Sequence, residues 1–140
     1  MLDQQQKEQA IAGLRAAYSA FNRGDIDAAV ELLDPRVEWT EPSVFQGGGT
    51  YHGIDGAKRY LTQSRDSAAE VISEPEQFIP AGNRIVVFVH ARVLPKHGNT
   101  WQDVKLADVY TFRDGRVTHM TAFADRQEAL HWVGIGPTSQ

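Results

Sequence analysis

The sequence predicts an α+β fold: a curved antiparallel sheet wrapped around three N-terminal helices, with a short helix at the C-terminal end. Three observations carry that prediction. Apolar residues recur at helical spacing through most of the first 70 or so positions, and at strand spacing through most of the rest. The Arg113-Asp114-Gly115-Arg116 segment holds an Asp-Gly pair suited to a tight hairpin, because glycine tolerates the positive φ such turns require. Finally, 140 residues without a repeat or linker suffice for one core, so a single domain is expected over 1–140.

Taken in order, Ile11, Leu14, Tyr18 and Phe21 form the stripe of an amphipathic helix over 7–23, and Gly24 stops it. Asp25 caps a second helix with Ile26, Ala29, Val30 and Leu33 on its stripe, ended by Asp34-Pro35. Val37-Glu38-Trp39-Thr40-Glu41 alternates as a strand closed by Pro42. Residues 43–52 contain Gly47 to Gly49 and predict a flexible loop at a cavity mouth; their spacing fits no phosphate-binding pattern. A third helix over 53–69 carries Ile54, Ala57 and Leu61, with Tyr60 beside them. Pro75 marks the strand over 71–79 as an edge or bulged strand. The run 84–94 is apolar on both parities at its start, which predicts burial on both faces. The strands over 103–113 and 116–124 follow, and Asp125 caps a last helix over 126–133.

Two acids sit where acids are costly. Val104, Leu106, Asp108, Tyr110 and Phe112 share one strand face, and Asp108 is its only charge. Glu41 likewise shares a face with Val37 and Trp39. An unpaired buried carboxylate is expensive, so Asp108 is expected to be paired or pushed toward its neutral form. Two carboxyls facing one apolar cavity can divide labour, one ionised as a base and one protonated as a donor.

Other function classes are disfavoured. A net charge of −4 with scattered Lys and Arg gives no nucleic-acid footprint. No apolar run reaches membrane-spanning length and the first residues are polar, so no membrane association and a cytoplasmic location are expected. Cysteine is absent, which excludes thiolate chemistry and disulfides. The histidines show no metal-binding spacing and no cofactor motif is present, so neither metal nor cofactor is expected.

The segments Phe21-Asn22-Arg23-Gly24-Asp25, Trp39-Thr40-Glu41-Pro42, Tyr51-His52-Gly53 and Phe112-Arg113-Asp114-Gly115, in this order of elements, resemble the nuclear transport factor 2-like superfamily. The match is most similar to its SnoaL-like polyketide cyclase and ketosteroid isomerase-like branch and spans about Leu14 to Leu130. The resemblance implies a cone-shaped scaffold that hosts isomerases, cyclases, dehydratases, hydrolases and binders. It implies a general base at Glu41 and a protonated oxyanion-hole acid at Asp108; the oxyanion-hole tyrosine falls on Ala17, one residue before Tyr18. Positions that carry an Arg and two Asp in limonene epoxide hydrolases hold Val89, Ala91 and Ala122, and the outward parity of His90 and His119 differs from the inward histidines of scytalone dehydratase-like proteins.

The expected function is therefore that of a cofactor-independent isomerase or cyclase-type enzyme acting on a small apolar carbonyl metabolite by enolisation. Glu41 is the expected base, Asp108 the expected donor to the developing enolate, and Tyr18, Trp39, Tyr60, Val89, Tyr110 and Met120 the expected substrate-binding lining. Two alternatives stay open: a non-catalytic small-molecule binding protein, and a structural dimer with a vestigial pocket. A homodimer is expected through the outer sheet face, where Val86, Phe88, Val109 and Phe123 would otherwise be an exposed apolar patch, with His90, Arg92 and His119 at its seam.

Overall fold

A computed structural model describes residues 1–136; positions 137–140 of the expected domain lie outside the described residues. The helices are α1 (Gln4–Asn22), α2 (Ile26–Ala29), α3 (Gly53–Asp66) and α4 (Arg126–Trp132). The strands are β1 (Leu33–Glu41), β2 (Gly49–His52), β3 (Glu70–Ala81), β4 (Arg84–Leu94), β5 (Gln102–Arg113) and β6 (Arg116–Phe123). They form one curved six-stranded sheet in the order β2-β1-β6-β5-β4-β3. All neighbours are antiparallel except β1 and β6, which run parallel because the α3 and β3–β5 excursion separates them in the chain.

Local sequence accounts for most of the ends. Asp3 accepts from the Gln6 amide and the Gln6 side chain returns to the Asp3 amide, a reciprocal box that starts α1 earlier than the apolar stripe alone predicts. Gly24, at φ 83°, turns the chain out of α1, and Asp25 caps α2 through the Ala28 amide. The second helix is shorter than expected. Its stripe continues to Leu33, but the Leu32 carbonyl accepts from the Val117 amide, so sheet pairing captures the backbone before Asp34-Pro35. Pro75 lies on an edge strand beside a bulge between Pro75 and Gln77, as its missing donor predicts.

The segment after Glu41 is more ordered than its glycines suggest. It folds as two tight turns, Phe45 to the Pro42 carbonyl and Gly48 to the Phe45 carbonyl, and the Tyr51 hydroxyl holds the Gly47 carbonyl at 2.8 Å. A Cβ at Gly48 would stand 2.3 Å from the Pro42 oxygen, so that position has room for glycine alone.

The main core lies between the inner sheet face and α1–α3. There Leu14, Val37, Ala57, Ile85, Val87, Val117 and Met120 are essentially inaccessible. A smaller core lies on the outer face, where the seam of a homodimer was expected. Val86 and Val109 are buried within the single chain by α4, with Ala129 between them and Phe88, Phe123, Leu130 and Val133 packed around. The chain's own last helix thus covers Val86 and Val109 and leaves Phe88 and Phe123 partly exposed.

Candidate functional site

Asp108 projects from the middle of β5 into a cavity of about 250 Å³ between the inner sheet face, α1 and α3. Two tyrosines meet it from different elements. Tyr18, on the buried stripe of α1, donates its hydroxyl proton to Asp108 Oδ2 at 2.5 Å, and Tyr110 donates to the Tyr18 oxygen at 2.8 Å. Tyr110 lies two residues along β5 on the same face as Asp108, as alternation requires. The two rings meet edge-on, with centroids 6.3 Å apart.

Glu41 ends β1 on the face shared with Val37 and Trp39, and all three are buried. The Trp39 indole donates to Glu41 Oε2 at 2.8 Å. That ring stands between Tyr60 and Tyr110, at 6.4 and 6.5 Å between centroids. The cavity's polar end is thus two carboxyls set among four aromatic side chains.

Burial pushes both carboxyls up, and by different amounts. Glu41 rises to about 8, first from loss of water and then from the Asp108 charge; the Trp39 and Tyr60 donors offset part of this. Asp108 rises to about 6, because burial is opposed by the phenolic donors Tyr18 and Tyr110. Both groups are thus held above the ordinary carboxyl range by loss of water, and each charge disfavours the other, so the two titrate as a pair. Burial, followed by the Asp108 charge, holds the Tyr18 and Tyr110 phenols well above their ordinary range, so both remain donors.

Tyr18, Trp39, Glu41, Tyr60, Val89, Asp108 and Tyr110 all line the cavity. Met120 does not: it is fully buried beside Trp39 and Tyr110, its ladder partners on β1 and β5, and their larger rings reach the cavity instead. Phe45, Ser64 and Ser73 line it without having been singled out from the sequence. Parity could have found Ser73, which shares the inward face of β3 with Val71, whereas the aperiodic loop gave no signal for Phe45. Among the described residues no Lys, Arg or His lines the cavity.

His52 and Trp101 are exposed and stand outside the lining. His90 binds Asp103 at 2.6 Å on the outer face, where Arg92 pairs with Glu74. His119 is exposed. Among the described residues, no three His, Asp or Glu side chains gather as a metal site requires. No helix among them is long and apolar enough to cross a membrane.

The SnoaL-like domain family matches residues 14–120, which include the two tyrosines and both acids. The chain belongs to that family. Among solved structures, TerC, co-crystallised with polyporic acid, is 30% identical over 89% of this chain and 97% of its own, with a TM-score of 0.76. A hypothetical protein with a ketosteroid isomerase-like fold from Catenulispora acidiphila DSM 44928, in complex with trimethylamine, shares the fold at 15% identity, covering 91% and 95% of the two chains with a TM-score of 0.72. A candidate polyketide cyclase from Sinorhizobium meliloti shares it at 18% identity, covering 79% and 93%, with a TM-score of 0.66. No curated protein matches by sequence. In this SnoaL-like protein, then, the scaffold is shared with relatives of several descriptions, and the chemistry has to be argued from the cavity.

Proposed function

We propose that this SnoaL-like protein is a cofactor-independent isomerase or cyclase-type enzyme that enolises a small, uncharged, apolar carbonyl metabolite. The observation that carries the reading is the pair of carboxyls facing one apolar cavity, each held by its own aromatic donor. Asp108, ionised at neutral pH, takes a proton from the carbon beside the substrate carbonyl. Glu41, protonated, donates to the carbonyl oxygen as charge develops on it. The aromatic walls exclude water and give the planar enolate a surface to lie on. A cavity of about 250 Å³ suits a small ligand, since pockets for drug-sized ones run from about 300 to 1,000 Å³. The absence of a lining cation disfavours carboxylate or phosphate substrates. Co-crystallisation of TerC with polyporic acid supports small-molecule binding on this scaffold.

The test is deuterium uptake at the α-carbon of aryl methyl ketones in heavy water, followed by NMR. The wild type exchanges; Asp108→Asn does not, yet still binds a phenolate mimic of the enolate. Glu41→Gln weakens that mimic and slows exchange about a hundredfold, the usual cost of one oxyanion donor. If the two variants trade behaviours, the roles revert to Glu41 as base. One observation favours a second reading, a non-catalytic binder: the Tyr18 hydroxyl already occupies Asp108. Ketones that bind the wild type without exchanging anywhere in the panel would establish that reading instead.

A further inference from the structure

The cavity has a second polar pole, remote from the acids. Ser73, on β3, lines it among Val71, Ala91, Val93 and Val104. The backbone of Ser73 is fixed on both sides by one side chain at the end of α1: Asn22 donates to the Ser73 carbonyl at 2.8 Å and accepts from its amide at 2.8 Å. These two bonds substitute for a neighbouring strand at the sheet edge and settle the main-chain groups. The Ser73 hydroxyl, in contrast, makes no hydrogen bond among the described residues, and the lining residues beside it in the sheet register, Ala91, Val93 and Val104, are apolar.

Sheet register locates this hydroxyl relative to the chemistry. Ser73 pairs with Ala91, and Ala91 with Val104, four residues before Asp108 on β5. At about 3.3 Å per residue along β5 and about 4.8 Å per strand across β4, the backbones of Ser73 and Asp108 stand roughly 16 Å apart. The wall between them is Val89, Leu106, Val104 and Ala91.

We propose that Ser73 is a specificity-determining residue that reads a second oxygen at the far end of an elongated, uncharged ligand whose carbonyl lies between Glu41 and Asp108. A ligand oxygen within reach of that hydroxyl gains a hydrogen bond that the apolar residues of the same wall cannot offer. Asn22 is the positioning residue, because it fixes the backbone that carries the hydroxyl. The substrate class is thereby narrowed to bipolar molecules: a rigid apolar body, an enolisable carbonyl at one end and a hydroxyl or second carbonyl at the other. This narrowing rests on the enolisation reading for the carbonyl end, whereas the contact with Ser73 stands on cavity geometry alone.

Two probes separate the claims, 4-acetylbiphenyl and 4-acetyl-4′-hydroxybiphenyl, which differ only in the distal oxygen. Titration of the wild type is expected to show the hydroxylated probe binding about five- to tenfold tighter, the yield of one good hydrogen bond. Ser73→Ala abolishes the difference without weakening 4-acetylbiphenyl, and Ser73→Thr, which keeps a hydroxyl, restores it. Equal affinities in the wild type, failure of both probes to bind, or a preference that survives in Ser73→Ala overturn the proposal. Acetyl-group exchange is read in the same samples. A distal-oxygen preference with no exchange sinks the enzyme reading and leaves Ser73 as a ligand contact; exchange with no preference does the reverse.

Discussion

At Glu41 two effects oppose each other and burial wins. The Trp39 indole favours the carboxylate, yet loss of water and the Asp108 charge raise the group to about 8. An acid raised above its unfolded value contributes most stability below the unfolded pKa, and that contribution is lost as pH rises toward the folded one. For Glu41 the window runs from about 4.5 to about 8. Glu41→Gln, uncharged at every pH, is therefore expected to match the wild type near pH 5 and exceed it at pH 8 by on the order of 2 kcal/mol, measured by urea unfolding. Tyr18→Phe acts in the opposite sense. It strips Asp108 of its donor and Tyr110 of its acceptor, and should cost about 1–2 kcal/mol while moving the Asp108 carboxyl further up, seen by carboxyl NMR titration. Strand parity made both acids legible in the sequence, because period-two alternation fixes a face without knowledge of the fold. Their proton order was not legible. It depends on which phenols reach which carboxyl, and Tyr18 and Asp108 are 90 positions apart in the chain.

At the scale of elements, α4 shows how a short helix is held. Seven residues are too few for a helix to persist on its own, so docking must supply the stability. Arg126 provides a clamp to three strands: it donates to the Leu106 carbonyl at 3.1 Å, to the Val89 carbonyl at 3.0 Å and to Glu76 at 2.7 Å, with its guanidinium over the Phe88 ring. The Arg126 contact, followed by that of Lys105, holds the Glu76 carboxyl at about 2. Arg126→Ala is expected to cost about 2 kcal/mol and to remove hydrogen-exchange protection from α4 before the sheet opens. Arg126→Lys should recover little, because an ammonium cannot divide its donors among acceptors on β3, β4 and β5 at once. The helix itself was legible from Asp125 and the apolar spacing that follows. Its docking site was not, since the clamp's acceptors are two backbone carbonyls and the extra residue of a bulge, none of which leaves a mark in the sequence. The same limit applied to α2, where pairing with β6 shortened a helix whose stripe ran on to Leu33.

For the molecule as a whole, the question is what stabilises the outer sheet face. An apolar set on that face has two solutions, a second copy of the chain or an element of the same chain, and only their concentration dependence tells them apart. Here Val109 is 1% exposed under α4 and Val86 is fully buried, both within one chain. Val109→Asp places a carboxylate in the apolar packing around Ala129, and is expected to cost about 3 kcal/mol or more. Because the lost packing is intramolecular, the urea midpoints of wild type and variant should each stay constant when protein concentration is raised about a hundredfold. A wild-type midpoint that climbs with concentration, together with a variant that sediments at half the mass, would instead place this face in a seam between two copies, with α4 displaced to admit the partner. The chain's economy argues for the first outcome: the residues that cover the face are covalently attached to the strand they cover, and only Ala124 and Asp125 lie between Phe123 at the end of β6 and the start of α4, so closure of that loop costs little entropy.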